Sequence, residues 1–161
     1  MSDKSRLIAL CDAVVAALND AQPEPPAESP FVLTFEAERK VIPLTDLGKI
    51  GDSLLLHVIP VGLMEVREPP GNLAGIFAGQ YELDVVVQKR LPASDSDGNT
   101  TVPDLLLLLE QIADHFKAGQ LTIGSHRAVL TTVDAEAAYS VPCLMQKRCF
   151  LGVTTLGFKV L

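Results

Sequence analysis

Hydrophobic and polar positions change period along this chain, and the changes mark its elements. Leu7, Leu10, Cys11, Val14, Val15 and Leu18 recur at spacings of three and four. On a helix this gives an apolar stripe about 160° wide. The far side, Ala9, Ala13 and Ala16 beside Asp12, Asn19 and Asp20, is either an ordinary solvated face or a surface small enough for a second backbone to approach. Four prolines in QPEPPAESP end that helix, so residues 22–30 are expected to run as an extended surface connector. Period two then takes over. Phe31, Leu33, Phe35 and Ala37 alternate with Val32, Thr34, Glu36 and Glu38, which predicts a half-buried first strand through FVLTFEAERKVIPL. Leu54–Met64 reads as a more deeply buried strand, with Pro60 and Gly62 marking an edge, a bulge or a bend.

The clearest alternation lies in Tyr81–Arg90. Tyr81, Leu83, Val85 and Val87 fall on one face, and Glu82, Asp84, Gln88 and Arg90 on the other, giving a core side and a wet side. A polar turn around Asp95, Asp97, Gly98 and Asn99 follows. Pro103 and Asp104 then open a second helix, whose stripe is Leu105, Leu106, Leu108, Leu109, Ile112, Ala113 and Phe116. The matching stripes place both helices on one face of the sheet. Leu107 falls outside its stripe and is either an isolated exposed leucine or a contact to another subunit. Ala128–Val133 predicts a short strand, and Phe150–Leu161, apolar on both sides, a strand inside the sheet. Residues 134–147 give no clear pattern. The fold expected is α+β: one domain over 1–161, with a mainly antiparallel sheet and two amphipathic helices packed on one face.

The segment from Glu68 to Gln80 departs from this regularity. Gly71, Gly75 and Gly79 alternate with Leu73, Ile76 and Phe77, so the stretch is either an arm that docks on a partner or a loop folded back on its own core.

Charge narrows the function. A net charge of −7 over 161 residues argues against tight binding to nucleic acid, which needs clustered Lys and Arg. The first residues lack the layout of a secretory signal, and no apolar run approaches the roughly 20 residues of a membrane span. Catalytic and metal motifs are missing. His57, His115 and His126 are scattered, and Gly48-Lys49 lacks the preceding glycine and following hydroxyl of a phosphate loop. Cys11, Cys143 and Cys149 form neither a CxxC pair nor a zinc set and read as small buried hydrophobes. No catalytic, cofactor-binding or metal-ligating residue is therefore assigned.

Five phrases, ALCDAVVAALNDA, LHVIPVGLMEV, YELDVVVQKR, LLLLLEQIADHF and FLGVTTLGFKVL, span most of the chain. In this order they resemble the tail terminator, or tail completion, proteins in the neck of tailed bacteriophages and prophages. The pairing of QKR, a turn and LLLLLEQIADHF is the most specific part; the arm at 68–80 departs in carrying less charge. The resemblance implies a non-enzymatic virion subunit without cofactor, assembled in the host cytoplasm. It implies a ring, typically of six, that caps the tail tube protein and joins it to the head connector or stopper protein while DNA passes through without specific binding. Expected subunit contacts are Leu73, Ile76, Phe77, Leu107 and Tyr139, and expected channel-facing groups are Glu82, Asp84 and Gln88. Alternatives are a stopper or adaptor, a small cytosolic hydrolase, or a monomeric binding module.

Overall fold

The computed structural model describes residues 5–22, 29–42, 51–67, 77–135 and 139–161. The 23–28 part of the proline-rich connector, the 43–50 connection containing Gly48-Lys49, and the 68–76 part of the glycine-rich arm lie outside the described residues. Among the described residues, three helices and six strands follow in the order α1 (Arg6–Asp20), β1 (Ala37–Arg39), β2 (Leu55–Arg67), β3 (Phe77–Arg90), α2 (Thr101–Lys117), β4 (Gln120–Ile123), β5 (His126–Asp134), α3 (Val141–Lys147) and β6 (Cys149–Val160). The class is α+β, with one mixed sheet in the order β1-β2-β3-β6-β5-β4. Among the described residues, only β1 and β2 run parallel; the other pairs are antiparallel.

The core lies between the sheet and α1 and α2. Leu10, Cys11, Val14 and Leu18 of α1, and Leu105, Leu108 and Ile112 of α2, are sealed from solvent against Leu56, Val58, Leu83, Val85, Val87, Phe150, Leu156 and Phe158. Each buried leucine or valine contributes about 2 kcal/mol of transfer free energy. Tyr81, Leu83, Val85 and Val87 all face the helices, as their spacing predicted. The register of β2 against β3 shifts between Pro60 and Gly62, at the break expected from those two residues.

Three expectations need correction. The first strand is far shorter than FVLTFEAERKVIPL: only Ala37–Arg39 pairs, with Leu56–Val58. Its alternation survives, since Phe31, Phe35 and Ala37 are buried while Val32, Thr34, Glu36 and Glu38 are exposed. Side chains rather than a strand satisfy the backbone there. The Gln22 amide accepts from Phe35 N (2.9 Å) and donates to Phe35 O (2.8 Å); that of Asn19 accepts from Ala37 N (2.8 Å) and donates to Ala37 O (3.1 Å). Gln111 accepts from Val32 N at 2.8 Å. These amides close the outer edge of β1, which would otherwise offer a template for strand addition. Asn19→Ala is expected to cost about 1.5 kcal/mol, through two lost hydrogen bonds and a backbone pair left unsatisfied, read as a lowered urea midpoint.

The second correction is a third helix, α3, in the segment without a clear pattern. Ser140 caps it by accepting from Cys143 N at 3.3 Å, and Arg148, at φ 53°, ends it in the left-handed region. The third concerns the glycine-rich arm, whose last residues, 77–80, are strand: β3 begins at Phe77, opposite Arg67 of β2. β4, also unforeseen, joins β5 through the two-residue turn Gly124-Ser125, where Gly124 takes the positive φ (59°) that a tight hairpin turn needs.

Candidate subunit-contact surfaces

The acidic turn before α2 proves to be structural. Asp95 is buried, and its carboxylate accepts from Thr100 N (3.3 Å) and Thr101 N (2.7 Å), meeting donors that the start of a helix leaves open. Its carbonyl accepts from Arg148 Nη2 at 3.5 Å, while Arg148 O accepts from Leu91 N at 2.8 Å, so the end of α3 is tied to the same corner. Hydrogen bonding to Thr101 above all holds the Asp95 carboxyl below its ordinary value of 3.8. The stability it lends is present above that value and is lost as pH falls through the depressed one.

The cysteines and histidines are dispersed. Burial, with Asp12 beside it, pushes the Cys11 thiol up to about 11, which keeps it protonated and a poor nucleophile. Burial likewise raises Cys149. His115 lies in an aromatic row between Phe31 and Phe116, and His126 opens β5. Among the described residues, no three of His, Cys, Asp and Glu come together as metal ligands could. Among them, too, no helix is long and apolar enough to cross a membrane.

The face of the sheet turned away from the helices carries Glu82, Asp84 and Gln88. Glu82 and Asp84 are half-buried, and Asp84 Oδ1 accepts from Thr155 Oγ1 at 2.6 Å. Gln88 keeps the face that its spacing gave it, but only 2% of it is exposed. In the single chain, then, Glu82 and Asp84 reach solvent and Gln88 does not. His57 and Ile59 on β2 and Val86 on β3 are buried on the same face.

Burial, followed by the nearby charge of Lys40 and partly offset by Glu38, lowers the His57 pKa from its ordinary 6.5. The unfolded chain therefore takes up this proton before the folded one does. The contribution to stability is complete above pH 6.5 and declines as pH falls toward the folded pKa. Urea midpoints at pH 7.5 and 5.5 are expected to differ in the native chain and to converge in part in His57→Gln.

Of the expected contact residues, Leu73 and Ile76 lie outside the described residues, as does the side chain of Phe77. Leu107 is 40% exposed on α2. Tyr139 is half-buried, its ring stacked on Phe150 at 5.7 Å and 23°, so much of its surface is already used within the chain.

Two surfaces that the sequence did not single out are more prominent. The first lies beside β2. β1 pairs with that strand only at Leu56–Val58, and β6 follows β3 no further than Gly79 opposite Val160. The β2–β3 hairpin thus continues beyond both neighbours to Arg67 and Phe77. Val61 and Leu63, 51% and 50% exposed, lie on β2 past the end of β1, and Val41 and the 80%-exposed Ile42 follow directly on Lys40, whose N–H donates to Val58 O at 3.0 Å. The second is a groove of about 490 Å³ between α2 and the end of β5, with Leu106, Leu109, Ala113 and Val133 against Glu110, Asp114 and Lys117. No protein-family model matches this sequence, and no curated protein matches it.

Proposed function

We propose that this chain is a structural subunit of a tailed phage or prophage, without enzymatic activity. Copies of it form a ring in the neck that ends the tail tube and joins it to the head connector. The ring has six members by the family resemblance, belongs to the virion, and is built in the host cytoplasm. The observation that carries this reading is the stretch of β2 that runs on past the end of β1, where Val61 and Leu63 stand half exposed. Aliphatic side chains so presented favour burial against another subunit. Glu82 and Asp84, on the face opposite the helices, suit a passage for DNA, because carboxylates repel phosphates and would not retain the duplex.

Electron micrographs of the purified protein are the direct test. Closed rings with a central opening wide enough for duplex DNA, together with negligible DNA binding at physiological salt, are expected. A chain that stays monomeric at every concentration and does not bind isolated tail tubes would refute the proposal, and metal retained through purification would favour a hydrolase or metal-binding role instead.

A further inference from the structure

Lys40, Val41 and Ile42 form a short exposed ribbon beyond β1, with a cation followed by two large aliphatics. The groove beside α2 has the reciprocal character. Leu106, Leu109, Ala113 and Val133 line it, and the exposed Glu110 stands on its rim. Lys117 neutralises Asp114 at 3.0 Å, so Glu110 keeps this rim acidic.

The two surfaces belong to strands set apart in the sheet. β2, β3 and β6 lie between β1 and β5 in the sheet, a separation of roughly 20 Å at the usual strand spacing. A patch and its complement on opposite sides of a subunit describe head-to-tail association, in which each copy gives its ribbon to one neighbour and takes another's into its groove. We infer that the α2–β5 groove receives the Lys40–Ile42 ribbon of a second copy of this chain, with Lys40 at the Glu110 rim and Val41 and Ile42 on the apolar lining. This deepens the ring reading and rests on it only in requiring that copies associate.

Ribbon and groove can be disabled separately at exposed positions, which leaves the core intact. In sedimentation velocity, Ile42→Asp is expected to weaken self-association roughly a hundredfold, because it places an unpaired carboxylate on an apolar lining. Lys40→Glu and Glu110→Lys should each weaken it about fivefold, and combining them in one chain should restore it, since the charge pair is re-formed with reversed sign. Mixing Ile42→Asp chains with Glu110→Lys/Val133→Asp chains should yield pairs that grow no further, as each pair keeps a single sound contact.

Wild-type oligomers unaffected by these changes would overturn the inference, place another occupant in the groove, and leave the ring reading standing. A wild-type chain that remains monomeric would remove both. Loss of association in the single variants without rescue in the charge-swapped chain would also overturn it.

Discussion

Phe150→Ala is expected to lower the unfolding free energy by about 4 kcal/mol, the largest single effect anticipated in this chain. Phe150 is fully buried at the start of β6. It pairs across the sheet with Lys89 and takes the stacked Tyr139 ring on its other side. Truncation opens a cavity at the corner where β6, α3 and the Asp95 turn meet. Tyr139 would lose its partner and α3 part of its seat. Urea unfolding followed by tyrosine fluorescence and by far-UV circular dichroism would give the loss, and Val133→Ala, at a 39%-exposed position, serves as a control expected within about 0.5 kcal/mol of the native chain. A loss below about 1 kcal/mol for Phe150→Ala would mean that this corner is not closed as described.

Gly157→Val is expected to cost about 3 kcal/mol. Gly157 lies inside the sheet, opposite Glu82 of β3 and Thr132 of β5, where the register of β5 shifts between Leu130 and Thr132. A Cβ there would collide with Thr132 Oγ1 and come within 3.3 Å of Gln80 Nε2. The Gly157 carbonyl also accepts from Thr131 Oγ1 at 3.1 Å, so the strand cannot simply shift away. If the Thr132 collision is the cause, Thr132→Ala should recover 1–2 kcal/mol of the loss, by the order of magnitude typical of coupled neighbours. A strictly additive double mutant would instead attribute the cost to β6 alone.

Much of the architecture was legible because it rests on periodicity. The stripes of α1 and α2, the buried side of β3 and the interior position of β6 all follow from spacing, which fixes the side on which a residue falls. Spacing does not fix what covers that side. Gln88 was assigned correctly to the face opposite Leu83 and Val85, yet it is buried, and no pattern in its own strand carries that information. α3 escaped notice because seven residues, VPCLMQK, with none of them buried, have no stripe to read. β4 is four residues long and owes its conformation to the hairpin with β5. The first strand was overextended because its extended backbone is held by the amides of Asn19, Gln22 and Gln111, partners remote in sequence. For the contact surfaces the gap is of the same kind. Leu107 stands out by being off its stripe, whereas Val41, Ile42, Val61 and Leu63 lie in runs that read as ordinary strand, and among the described residues it is the early end of β1 that leaves them uncovered.

The position of β6 also orders events during synthesis. β6 inserts between β3 and β5, pairing with each of them, although it follows every other element in the chain. Until those twelve residues have left the ribosome, β3 and β5 each present an inner edge without a neighbour, and α2 lacks much of the floor on which it packs. A nascent chain released early would be left with two such open edges, a template for chaperones or aggregation. Chains with both edges closed would then arise only once translation has passed β6.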